Sequence, residues 1–550
     1  MKRTTVAIAA LAACVAVVST RPVVAQHQGT AVFRLVEATV ADVQHALQTR
    51  LITSEQLVRM YLARIAAYDD AGPGVNAFIY VNPNAVAEAR QLDRLRHPGR
   101  ARRPLDGVPV ALKDIIDTAD MPTTGGSLTL VGSTPPKDAF ITKKLRAAGA
   151  VILGKLTLTE FANFITTGMP AGYSGYGQYG FNPYDPRPLP GGDGRPVLTP
   201  GGSSSGSGIA VNANLATLAV GTETSGSILS PANANGVVGI KPTVGLVSRT
   251  GIIPITADQD TAGPLTRTVA DAALLLGVLA GFDPEDPATA ACLIPGIGHT
   301  DYTQDLDKKA LTRARIAVPP FPANRSDIMV AAIDALRAEG AYVELIPALA
   351  PQLGICVSVP APAGCSTVLL YGQKRDMNAY LARRGTAPVH TLSDIIALNN
   401  VIPGALKYGQ VIFEAADMLD LSPGSPDTLR YLDDRAQDLL LARGALDGVY
   451  RGADGAFGTS DDFDAILLSG NNQAGTAAKA GYPSVSVPGG FLPPADPVEN
   501  PFPSTVTFTG TAFSEPRLIA LAYAFEQATK HRVPPDSTPP LPTDVVRRHD

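Results

Sequence analysis

The feature that most restricts the fold of this chain is an alternation running from residue 107 to residue 347. "GVPVALKD" (107–114) reads as a short apolar strand ending in charge, and "TKKLRAAGAVILGK" (142–155) as helix, Gly turn and strand. "NLATLAVGTET" (214–224) is a helix end followed by a strand, "VADAALLLGVLAG" (269–281) an apolar helix, and "RARIAVPP" (313–320) another strand. "IMVAAIDALRAEGAYVELIP" (328–347) repeats the helix–Gly–strand unit. Short, almost wholly apolar strands separated by helices belong in a sheet covered on both faces. The expectation is therefore an α/β protein: a single large domain whose central mixed, largely parallel β-sheet is covered by helices on both faces. At 550 residues, length alone allows three or four domains, but large α/β enzymes fold as one body with insertions.

Before this alternation, residues 39–69 read as two helices. Thr53 and Gln56 have capping-box spacing, and Leu57, Tyr61, Leu62 and Ile65 follow at helical intervals. From about 350 to 450 the rhythm changes to long amphipathic helices, the mark of an insertion or helical cap. "FDAILLSG" and "GYPSVSVPGGF" return to strand-like runs, "PRLIALAYAFEQATK" closes with a helix, and residues 536–550 read as a Pro-rich extended tail. The hydrophobic fraction of 45% against 17% charged excludes a disordered chain. A net charge of −5 argues against nucleic-acid or anionic-membrane partners.

Residues 1–25 have the form of a secretory leader. Lys2 and Arg3 precede a run of apolar or small residues from Thr4 to Val18, and Val23-Val24-Ala25 forms a cleavage site before Gln26. A lipoprotein box ending at Cys14 is the alternative. The expected localisation is secreted or periplasmic, free of the membrane after cleavage. In that oxidising setting Cys356 and Cys365 either close the loop between them or remain separate thiols; Cys292 has no evident partner.

Two serine-rich blocks carry the candidate chemistry: "GGSSSGSG" (201–208) before a small-residue helix, and "GTETSGSILSP" (221–231) after a strand. A phosphate-cradling loop would need a Gly-Lys-Ser/Thr ending, which is absent. A serine hydroxyl needs a base. His27, His45, His97, His299, His390, His531 and His549 all lie in unremarkable contexts. Lys113, at the end of an apolar strand, is the other choice, because burial lowers an amine's pKa. Spacing alone favours a solvated lysine at a strand edge. Backbone N–H groups of Thr224, Ser225, Gly226 and Ser227 can converge on an oxyanion in the second block's tight turn.

With these blocks, "AGAVILGKLTLTEFA", "PANANGVVGIKPTVGLVSRTGIIP" and "DQDTAGPLTRTVADAALLL", the sequence resembles the amidase signature family, and within it most resembles bacterial enzymes that remove the C-terminal amide of peptides. The resemblance implies a domain over 26–535 with its core at 100–285. It implies a triad of Lys113 as base, Ser203 as bridging serine with a cis peptide bond, and Ser227 as nucleophile. Ser225 then belongs to the oxyanion loop, while Ser204 and Ser205 either brace the turn or are ordinary loop polarity. No metal and no organic cofactor is implied; the expected partner is a small-molecule or peptide amide, and the expected state a monomer. A general aliphatic or aryl amidase, the glutaminase subunit of an amidotransferase, and a non-catalytic exported binding protein are the rival readings. The Tyr/Gly-rich insertion at about 170–198 either borders the substrate cleft or is a surface loop. Asp454, Asp461, Asp462 and Asp464 form either a solvated loop or a cation site.

Overall fold

The computed structural model describes residues 31–96, 102–494 and 500–548; the leader read in residues 1–25 lies outside them. Eleven strands form one sheet. From one edge the order is Tyr342–Leu345, Arg315–Val318, Ala465–Ser469, Phe502–Thr509, Ser484–Leu492 and Val238–Lys241. It continues through Thr261–Thr266, Leu218–Glu223, Pro109–Lys113 and Val151–Leu156 to Phe78–Val81 at the other edge. The sheet is mixed and flanked by helices. The expectation of largely parallel pairing holds only in two places: Pro109–Lys113 is parallel to both its neighbours, and so is Arg315–Val318. The middle is antiparallel, because the strands there arrive by hairpin and return connections rather than by strand–helix–strand crossovers.

The parallel trio is what positions the site. Its central strand, Pro109–Lys113, is buried at every residue, and Val151–Leu156 and Leu218–Glu223 are buried beside it. Val269–Leu279, hydrophobic nearly all round, packs with Glu515–Thr529 against the sheet. Upstream, Thr53 Oγ1 accepts from Gln56 N–H (3.1 Å) and Gln56 Oε1 from Thr53 N–H (2.9 Å), closing the expected capping box.

Helices Val368–Arg384, Leu392–Asn399, Val411–Asp417 and Pro426–Tyr450 occupy the region read as a cap, and Val368–Arg384 packs on the other three. Cys356 and Cys365 are joined in a disulfide, and Cys292 is a free thiol. No helix among the described residues is long and apolar enough to cross a membrane.

The C-terminal segment corrects an expectation. Instead of an extended tail, Val545–Arg548 forms an antiparallel strand with Ala31–Arg34. Asp544 is buried in an ion pair with Arg64 (2.6 Å), whose guanidinium also donates to the carbonyls of Thr538 (2.9 Å) and Pro539 (3.1 Å). The prolines remove ladder donors only upstream of the two valines that form the strand.

Candidate active site

Lys113 ends the central parallel strand, where α/β sheets gather ligands outside their carboxyl ends. Its side chain is wholly buried, and Nζ lies 2.7 Å from Ser203 Oγ, 2.9 Å from Thr222 Oγ1 and 3.4 Å from Thr222 O. Burial pushes this amine down to about 7, against the opposing pull of the Asp260 and Glu223 carboxylates, neither of which it touches.

Two other buried lysines bracket that environment: Lys155 keeps a carboxylate partner, whereas Lys241 touches none among the described residues and burial lowers it to about 8. Lys155 is paired with Asp114 at 3.0 Å and donates to Thr123 Oγ1 and Pro122 O. Lys241 donates to the Tyr482 carbonyl. Lys155→Met is expected to destabilise the protein by about 3–5 kcal/mol in denaturant titration, because it strands the Asp114 charge in the interior.

Ser203 lies just before the helix Ser205–Asn212, and the peptide bond Gly202–Ser203 is cis. Ser227 lies between the strand Leu218–Glu223 and the helix Leu229–Asn235. Ser204 joins the two segments. Its N–H donates to Ser227 O (3.2 Å), its Oγ donates to Thr222 O (3.0 Å), and that Oγ accepts from Thr222 N–H (3.1 Å). Ser204 therefore braces the turn. Ser205 does not: its Oγ is buried with no partner among the described residues. No hydrogen bond joins Ser203 Oγ to Ser227 Oγ among the described residues. The N–H groups of Thr224, Ser225, Gly226 and Ser227 have no protein acceptor there either, so all four remain available as donors. Gly226 takes φ +90°, which lets the turn close without a side chain.

The sequence profile described as Amidase matches residues 56–359. The chain belongs to the amidase family. A probable amidase of Arabidopsis thaliana is 38% identical over 513 residues, covering 92% of each chain. The native peptide amidase from Stenotrophomonas maltophilia superposes with a TM-score of 0.79 at 40% identity, covering 92% of this chain and 99% of that one. An amidase family protein from Bacillus anthracis gives 0.81 at 34% identity, covering 91% and 93%. The protein is an amide hydrolase.

In this amidase the loop from Thr224 to Ser227 is braced by three residues that inspection of the sequence did not single out. Glu223 Oε2 accepts from the N–H groups of Ile228 (2.8 Å) and Leu229 (3.0 Å), just beyond Ser227. Asp260 accepts from Thr224 Oγ1 (2.5 Å) and from the N–H groups of Ile255 (2.9 Å) and Thr256 (3.0 Å). Gln259 Nε2 donates to Thr224 O (3.2 Å). Asp260 and Gln259 stand in the quoted "DQD", but nothing local to that motif says which loop it meets; Glu223 was hidden inside the serine block. Burial raises the Asp260 carboxyl to about 7, despite the bond from Thr224.

Three cavities border this loop. One of about 500 Å³ is lined by Thr222, Thr224, Asp260, Ile253, Tyr380 and Arg384 among others. One of about 410 Å³ touches Ser225 and Gly226, and one of about 350 Å³ touches Ser225 and Gln259. The insertion at 170–198 lines none of the three. It is held to residues 407–408: Tyr173, Tyr179 and Tyr408 surround the Lys407 ammonium at 5.0, 4.7 and 5.5 Å.

Among the described residues His299 meets Gln304 and Tyr302, and His531 meets Phe525. The acidic loop satisfies itself: Asp461 accepts from Ala453 and Asp454 N–H, Asp462 from Gly458 N–H, and Asp464 pairs with Arg517. No cluster able to hold a metal occurs among the described residues.

Proposed function

We propose that this amidase is an exported enzyme that hydrolyses the C-terminal amide of peptides, with Ser227 as nucleophile, Ser203 as proton bridge and Lys113 as base. The observation that carries the reading is the 2.7 Å contact between a fully buried amine, lowered to about 7, and a serine hydroxyl. A neutral amine has two N–H groups and one lone pair. Here the two N–H groups find Thr222 Oγ1 and Thr222 O, leaving the lone pair for the Ser203 proton.

Lys113 takes the proton of Ser203 as Ser203 takes that of Ser227, and Ser227 Oγ attacks the amide carbonyl. The N–H groups of residues 224–227 receive the oxyanion, held in place by Glu223, Gln259 and Asp260. The proton returns along the same path to the leaving nitrogen, ammonia departs, and water enters by the reverse sequence. The Ser203–Ser227 hydrogen bond forms as substrate arrives. The similarity to a peptide amidase supports the substrate class, and the leader-like first 25 residues support a reaction outside the cytoplasm.

The test is ammonia release from a peptide amide, a free amino-acid amide, a fatty amide and glutamine, with a serine-directed phosphonate to locate the nucleophile. The peptide amide is expected to be the best substrate and Ser227 the labelled residue. Label on Ser203 or Ser225, or preference for another amide, overturns the corresponding part.

A further inference from the structure

We infer that the polar cavity beside Ser225 and Gly226 is a subsite for a carboxylate carried by the substrate's acyl side, with Arg325 as its counter-ion. The inference rests on the amidase reading above and narrows its substrate class to acidic amides.

The cavity, about 410 Å³, has the oxyanion loop itself as one wall. Asn233, Arg325, Asn471 and Asn472 line it further, and among the described residues no aspartate or glutamate does. Arg325 is half-buried; Nη1 donates to Ser504 Oγ (2.7 Å), and the guanidinium lies 5.7 Å from the Phe502 ring centroid. Among the described residues no carboxylate pairs with it. Two arginines of the neighbouring 500 Å³ cavity differ: Arg249 is paired with Asp286, and buried Arg384 is bonded to Tyr380 and to the carbonyls of Thr123 and Ser133, while the third, Arg383, is exposed to solvent. A partly desolvated guanidinium lacking a counter-charge favours an incoming anion, and its planar fork matches a carboxylate. The carboxamides add neutral donors. Asn233 commits its side-chain carbonyl to Thr505 N–H (2.9 Å), which leaves its NH2 group over, and the side chain of Asn471 makes no hydrogen bond among the described residues. Because Ser225 and Gly226 belong both to the cavity wall and to the loop that receives the oxyanion, a substrate whose carbonyl sits at the loop can extend its acyl chain directly into this space.

The test uses the full-length enzyme and four probes: acetyl-Glu-Phe-amide, acetyl-Gln-Phe-amide, acetyl-Lys-Phe-amide and succinamate. The Glu peptide is expected to exceed the Gln peptide by at least about tenfold in kcat/KM, chiefly through KM, with the Lys peptide slowest and the gap narrowing as salt is raised. Preference for succinamate over all three peptides would assign the carboxylate to a small diacid instead of an acidic residue, and it too would vanish with Arg325. In Arg325→Gln the Glu-to-Gln ratio is expected to collapse to about one, and in Arg325→Glu the order of the Glu and Lys peptides to invert. The phosphonate-labelling rate confirms that each variant is folded. Equal rates on the Glu and Gln peptides in the native enzyme overturn the inference. So does an Arg325→Gln variant that loses activity on all probes with the ratio unchanged, since that is a structural role. Absence of ammonia from every probe is a different failure, that of the amidase reading.

Discussion

Ser227→Ala is expected to lower kcat/KM on a peptide amide by about 10⁴- to 10⁶-fold while leaving the unfolding midpoint nearly unchanged. The two halves of that expectation have separate causes. Without the hydroxyl there is no acyl-enzyme, so only the oxyanion donors and substrate binding remain to act on water. Stability is spared because Ser227 Oγ makes no hydrogen bond among the described residues, so its removal strands no buried partner. The backbone that shapes the loop stays pinned through Glu223 and through the Ser204–Ser227 main-chain bond. The check is single-turnover ammonia release together with thermal unfolding. Activity within tenfold of the parent, or phosphonate labelling that moves undiminished to Ser225, would falsify the assignment of the nucleophile.

Lys113→Met comes second, with an expected loss of about 10³-fold, within the range a positioned general base supplies. Methionine fills most of the lysine's volume, and no ion pair is broken. The cost is the unmet hydrogen-bonding capacity of Ser203 Oγ and Thr222 Oγ1, about 1–3 kcal/mol each where it stays unmet. Loss of activity with a folded protein separates this lysine from Lys155, whose replacement acts on stability. The pH profile adds a sign. In the proposed mechanism the base is the neutral amine, and burial holds it down to about 7, so kcat/KM is expected to fall about tenfold per pH unit below that value and to level off above it. In Lys113→Met that acid limb disappears. A flat profile from pH 8 to pH 5 in the parent enzyme would remove the lysine from the mechanism.

What could be read from the chain was mostly local. The Gly turns, the capping box at Thr53 and the strand ending at Lys113 all depend on near neighbours in sequence. The two serine blocks were legible as motifs, and their roles followed from resemblance. The braces on the 224–227 loop were not legible, because Gln259 and Asp260 act on Thr224 only after Thr261–Thr266 pairs antiparallel with Leu218–Glu223 and brings the two segments together. The same reason explains the sheet. Helix–Gly–strand units report parallel neighbours at the two flanks, but say nothing of the returning strands Ser484–Leu492 and Phe502–Thr509 that make the centre antiparallel. The terminal prolines misled in the opposite direction, since the strand's partner lies near residue 30.

That partnership leaves the folded polypeptide close to a ring, with Ala31 directly opposite Arg548. A short linker between them, with new ends opened in the exposed 453–460 stretch, would give a circular permutant that keeps all eleven strands and carries Lys113, Ser203 and Ser227 well inside its span. Such a rearranged gene product moves the attachment points away from the strand pair beside the clasp that Arg64 maintains, to an exposed stretch.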